Sequence, residues 1–171
     1  AHLGNNSVAY FEIVRWFTDT FGLYEWSLRL PSLLAGVALV PGTWFVARRW
    51  NCSATNSLLA AALVAMDSNA IFFAVEARVY ALLQIVSLIH LFLFTELIER
   101  QNRLLVWTLW IASGIALFHL HCTTALIFGA EAVACAILLA TRRELKTHWF
   151  YLLLGGCMID LAMLPAAGLL R

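Results

Sequence analysis

NAIFFAVEARVYALLQIVSLIHLFLF, residues 69–94, is two apolar runs separated by Glu76, Ala77 and Arg78. Each run extends beyond the quoted segment to roughly the length of a membrane-crossing helix. About 20 mostly apolar residues are needed, because the hydrocarbon core is about 30 Å thick and a helix rises about 1.5 Å per residue. Over all 171 residues the chain is 63% hydrophobic and 12% charged, with a mean hydropathy of +0.84. Soluble domains are nearer half apolar and a quarter charged, so the bilayer is the natural solvent of this sequence. A net charge of +1 supplies neither the basic field that nucleic acid requires nor an acidic tail.

Working outward from the quoted segment, six spans are expected at 31–47, 57–74, 78–97, 104–120, 123–140 and 149–169. The short link through His121 and Cys122 makes the fourth and fifth an antiparallel hairpin. Arg48, Arg49, Arg100, Arg103, Arg142, Arg143 and Lys146 then fall on one side, which the positive-inside rule makes cytoplasmic. Residues 1–30 and the turns at 75–78 and 119–123 fall on the other, outer side. Ser7–Phe21 is not a span. Tyr10, Ile13, Val14, Phe17 and Phe21 recur at helical spacing, while Glu12, Arg15 and Asp19 share another face. The pattern reads as an amphipathic helix capped by Asn6 or Ser7 and ended by Gly22, lying in the outer interface or packed on the bundle. The fold class is thus all-α: a polytopic transmembrane helix bundle in a single domain over 1–171. Residues 1–28 form the interfacial helix and loop, and 29–171 the six-span bundle. The chain opens at Ala1 with neither Met nor a signal-peptide pattern, and it is expected to be a piece of something longer.

Several residues carry potential chemistry. Glu76 and Arg78 are expected at the N-terminal end of the third span, where free N–H groups favour an anion. There the carboxylate is able to accept a proton, and the guanidinium to hold a phosphate in a two-pronged grip. The structural alternative is that Glu76 caps the helix and Arg78 reaches to lipid headgroups. Tyr80, Gln84 and Ser87 form a polar stripe, lining a cavity or bonding to a neighbouring helix. His119 and His121 are an H-x-H pair, too few ligands for most metal sites. Asp67, His90, Glu131 and Asp160 fall near the middles of spans, where an ionised group costs several kcal/mol. They are expected to be neutral or hydrogen-bonded within the bundle. The four cysteines, 52, 122, 135 and 157, form no C-x-x-C pair and read as apolar packers.

The segment EWSLRLPSLLAGVALVPGTWFVARRW resembles the second-span region of polyprenyl-phosphate-sugar-dependent membrane glycosyltransferases of the GT-C type. These include the protein O-mannosyltransferases and the aminoarabinose transferases that act on lipid A. Arg29-Leu30-Pro31-Ser32 and Arg48-Arg49 match the R-L-P-S that opens that span and the basic pair that closes it. NAIFFAVEARVYALLQIVSL is similar to the bacterial S-Q-E-A-R-x-Y pattern. Glu76, Ala77, Arg78 and Tyr80 match, while Ala74 and Val75 replace Ser and Gln. ALFHLHCTTALIF resembles the region of a Y-T-H-Y type motif, with His121 as the matching histidine. NNSVAYF stands where many relatives carry H-P-P-L-Y-Y. Tyr10 and Phe11 fit, and Asn6, Ser7 and Val8 depart.

The resemblance implies an enzyme, a hexosyl or pentosyl transferase that moves a sugar from a polyprenyl-phosphate donor to a lipid, glycan or protein acceptor outside the cytoplasm. The family's first span and first catalytic acid would then lie upstream of Ala1, leaving this piece incomplete. It implies Glu76 as a second acid, positioning the acceptor or a metal, and Arg78 as the phosphate clamp. Tyr80, His121 and Tyr10 would be the substrate-binding residues. No metal is required by the residues, and a divalent ion is the one cofactor left open. The implied setting is a bacterial inner membrane, with the bilayer as partner and no nucleic acid. Two other readings stay open. One is a transporter or ion-conducting subunit, supported by the mid-span acids. The other is a catalytically inactive scaffold, supported by the departures at Ala74, Val75 and Asn6–Val8.

Overall fold

The computed structural model describes residues 8–99, 104–141 and Gly156. Among them every regular element is helical. Helix α1 runs over Val8–Phe21, α2 over Glu25–Arg49, α3 over Ala54–Met66 and α4 over Ser68–Val75. Helix α5 spans Tyr80–Glu99 and α6 Leu104–Leu120; a 3-10 turn at Cys122–Thr124 leads into α7, Ala125–Thr141. The all-α membrane fold read from the sequence is present. Helices α2 and α5 are each long and apolar enough to cross a membrane, and α3 and α4 pass the same test as a bent pair. Helices α6 and α7 are shorter apolar helices. The sixth expected span, 149–169, and the Asn6 or Ser7 cap lie outside the described residues.

Local chemistry sets the helix ends. Gly22 closes α1 at φ 89°, donating its N–H to the Thr18 carbonyl at 2.9 Å. Glycine adopts that left-handed conformation without a Cβ penalty. Helix α2 starts six residues before the expected Pro31, because Ser27 organises its first turn. Ser27 Oγ accepts from Tyr24 N–H at 3.2 Å and lies 2.6 Å from the Gly22 carbonyl. Pro31 and Pro41 sit inside the helix, as membrane helices tolerate. Asn51, at φ 60°, ends α2, with Cys52 N–H donating to the Ala47 carbonyl at 3.1 Å.

The expected single span over 57–74 is broken. Helices α3 and α4 meet at 57°, with Asp67 at the joint. The Asp67 carboxylate accepts from Asn69 N–H at 3.1 Å and Ala70 N–H at 3.3 Å, so it caps α4. It is an exposed cap rather than a charge held inside the bundle.

The helices fall into two compact units. The first holds residues 8–92 with 119–121; the second holds 93–99, 104–118 and 122–141. In the first unit α2 packs against α1, α3 and α4. Tyr10 on α1 is buried and Ile13, Val14 and Phe17 are half-buried, while Glu12, Arg15 and Asp19 face outward, as the amphipathic pattern requires. Rings continue around the α1–α2 elbow. Phe17 and Phe21 lie 6.0 Å apart, Phe21 and Trp26 5.8 Å, and Tyr24 stacks on Trp26 at 6.1 Å. Gly36 faces Ala74 of α4, and Gly42 lies against Ile85 and Leu88 of α5. In the second unit Phe94, Trp110, Ile111 and Leu117 are buried, with the Phe94 and Trp110 rings 6.3 Å apart. Leu63, Met66 and Leu126 are more than two-thirds exposed, as a lipid-facing surface allows.

A Cβ at position 36 would collide with the Ala74 side chain, whereas one at Gly129 meets nothing within 4 Å. Gly36→Ala should therefore destabilise the protein by about 1–3 kcal/mol. Gly129→Ala should be neutral or slightly stabilising, since Ala is the better helix former. Thermal unfolding in detergent of the two variants beside the parent checks both.

Candidate active site

Five residues were expected to form a site: Tyr10, Glu76, Arg78, Tyr80 and His121. All five fall in the first unit. The structure moves the acid and the base from their expected positions. Glu76 does not begin a helix. It is the C-cap of α4, in extended conformation at φ −84° and ψ 141°, and its N–H donates to the Phe72 carbonyl at 3.2 Å. Regular helix resumes only at Tyr80. Glu76 and Arg78 thus occupy a short non-helical turn, and the carboxylate sits at the negative end of the α4 dipole. Its counter-charge is Arg78 instead.

Glu76 Oε2 lies 3.0 Å from Arg78 Nε. The N–H is not aimed at that oxygen, so the contact is an ion pair and not a hydrogen bond. Oε2 is buried and has no hydrogen-bond donor among the described residues. The Glu76 side chain as a whole is 28% exposed and Arg78 is 63% exposed. Glu76 is the one ion-pair partner of Arg78 among the described residues. The guanidinium is oriented by that carboxylate, and its exposed side remains able to meet another anion.

The neighbours arrange themselves around this turn. Tyr80 packs between Phe73, at a ring separation of 4.8 Å, and His121, at 5.8 Å. His119 lies in the last turn of α6, which ends at Leu120, and His121 follows the helix directly. One turn along α5, Gln84 Oε1 is buried without a hydrogen-bond donor among the described residues. Such an atom costs free energy unless a donor reaches it. Tyr10 is joined to the turn through a residue the sequence reading gave no role. Its phenol lies 2.9 Å from Ser32 Oγ, and Ser32 Oγ donates to the Arg78 carbonyl at 2.9 Å. The available signal was a serine four residues before Gly36 in an apolar helix, the spacing that puts both on one face. Arg29, also of the R-L-P-S stretch, pairs with Glu25 at 2.6 Å on the exposed face of α2.

Asp67 caps α4, Asp160 lies outside the described residues, and His90 and Glu131 are buried and each has a partner. Among the described residues no group of three or more His, Cys, Asp or Glu stands close enough together to hold a metal ion.

The chain is of the class of membrane glycosyltransferases of the GT-C type. The family described as dolichyl-phosphate-mannose-protein mannosyltransferase matches residues 7–165, and the chain belongs to that family. That covers nearly the whole sequence and makes this an integral membrane chain of the glycosyltransferase class. The family as a whole implies a polyprenyl-phosphate sugar donor and an acceptor. No curated protein and no solved structure matches the chain.

Burial pushes the Tyr10 phenol above its ordinary value of 10. The neutral phenol is the form the fold favours. Its contribution to stability is complete below pH 10 and is lost as the pH rises through the raised value. Ultraviolet titration of the protein in detergent should show a phenolate step above pH 10 that disappears in Tyr10→Phe.

Proposed function

We propose that the full-length protein transfers a sugar from a polyprenyl-phosphate donor to an acceptor on the outer face of a bacterial inner membrane. The observation that carries this reading is the Glu76–Arg78 turn, where a partly exposed acid and an exposed guanidinium are held 3.0 Å apart. In the transfer, the bond between the anomeric carbon and the phosphate oxygen breaks, and a bond from that carbon to the acceptor forms. The acceptor's proton goes to a carboxylate, and the donor leaves as lipid phosphate with more negative charge than it brought. A cation fixed beside that phosphate stabilises the transition state more than the ground state.

Arg78 is the phosphate clamp. Glu76 positions the acceptor through its carboxylate and keeps the Arg78 fork in orientation. Tyr80 and His121 present ring faces and polar edges suited to a sugar, and Gln84 offers an acceptor for one of its hydroxyls. Tyr10 contributes to substrate binding from the side of α1. The arginines and lysine at the opposite ends of the spans support the outer-face assignment. The aromatic rings at the α1–α2 elbow suit the headgroup layer of the same face.

Sugar transfer from a radiolabelled polyprenyl-phosphate sugar, in membranes carrying the full-length protein, tests the reading. Glu76→Gln should lower transfer by about 10²-fold or more while membrane insertion is unchanged. Arg78→Ala should raise the KM for the donor and lower kcat, with the acceptor KM nearly constant. Normal turnover in Glu76→Gln removes that residue from the site. Equal loss of donor and acceptor use in Arg78→Ala points to a folding role.

A further inference from the structure

Ser32 is fully buried and is the atom-level meeting point of α1, α2 and the Glu76–Arg78 turn. Its bonding has a fixed direction. A carbonyl only accepts, so the Ser32 proton is committed to the Arg78 carbonyl at 2.9 Å. A serine hydroxyl has a single proton. The 2.9 Å contact with the Tyr10 phenol therefore has Tyr10 as donor. Polarity runs from Tyr10 O–H to Ser32 Oγ, and from Ser32 O–H to the peptide of Arg78.

The turn that receives this bond has little regular structure of its own. The Arg78 N–H donates to the Glu76 carbonyl at 2.8 Å, and the helical pattern of α5 is re-established with Leu83 N–H on the Val79 carbonyl at 2.9 Å. Between those two points the Arg78 carbonyl is tied to α2 by Ser32. We propose that Ser32 is a positioning residue that couples the seating of α1 to the geometry of the Glu76–Arg78 turn, with Tyr10 acting through it. Its hydroxyl touches neither donor nor acceptor. It holds the Arg78 peptide where the guanidinium meets Glu76, and it does so fully only while α1 presents the Tyr10 phenol. A substrate that seats or lifts α1 thereby sets or releases the phosphate clamp. The consequence for transfer rests on the glycosyltransferase reading above; the coupling itself does not.

The test uses the full-length protein in lipid nanodiscs, with Tyr10→Phe, Ser32→Ala and the double variant. Amide hydrogen exchange over residues 76–79 reads the turn directly and needs no activity. Each single variant should speed exchange there by about 3- to 10-fold, the worth of one net hydrogen bond. The double variant should be no faster than Ser32→Ala, because one chain of bonds is being cut twice. In parallel, sugar transfer by Ser32→Ala should show kcat lowered by about the same factor with the donor KM within about twofold. Unchanged exchange in both single variants, or effects that multiply in the double variant, overturns the proposal. If the parent transfers no sugar from any polyprenyl-phosphate donor, the glycosyltransferase reading fails while the exchange result still decides the coupling. Ser32→Ala leaves the fold intact if exchange in α3 and α7 matches the parent. If it does not, Tyr10→Phe, a change at the edge of the relay, decides the coupling by itself.

Discussion

Helix α2 lies against α4 because position 36 carries no side chain. A single Cβ there would run into Ala74, so the two backbones meet at a distance that only glycine on one side and alanine on the other permit. In a membrane, where apolar surface gains nothing by leaving lipid, this kind of close fit is what holds helices together. The rest of the site follows from it. Ser32 lies one turn from Gly36 on the same face, and Glu76 follows Ala74 by two residues, so the fit that seats Ala74 also brings the Arg78 carbonyl to the Ser32 hydroxyl at 2.9 Å. The acid and the base owe their position to a contact between two of the smallest side chains in the domain.

Electrostatics then divides the polar residues by depth and partner. Glu76 and Arg78 neutralise each other at a partly exposed turn. Ser27, Ser32 and Ser57 are fully buried, and each finds its partner within the protein. A hydroxyl suits those places because it satisfies backbone carbonyls without bringing a charge to desolvate. At these three buried places a serine stands where a charge would have to be desolvated.

Much of this was legible in the residues. The apolar runs gave the helical membrane class, and the 3.6-residue pattern of Tyr10, Ile13, Val14 and Phe17 gave α1 and its buried face. Gly22 gave its end. The proximity of Glu76 to Arg78 followed from two residues of separation. What the sequence hid was conformation. The span read as beginning near residue 31, whereas the helix begins at Glu25. Asp67 read as a buried acid because hydropathy averages over a window and does not see one carboxylate capping two N–H groups. The Ser32 relay joins residues 22 and 46 positions apart, and nothing in a single chain reports such a pairing.

The break at Asp67 gives α4 a mechanical character. Its eight residues extend roughly 12 Å from the joint, with Glu76 at the far end. It is a short lever whose fulcrum is a carboxylate holding two N–H groups. A change of about 5° in the 57° bend swings that far end by about 1 Å. Displacements of that size are enough to alter the rate of a reaction by orders of magnitude. The Glu76 end of α4 is thus leveraged from Asp67, and the two halves of one apolar segment act as arm and base.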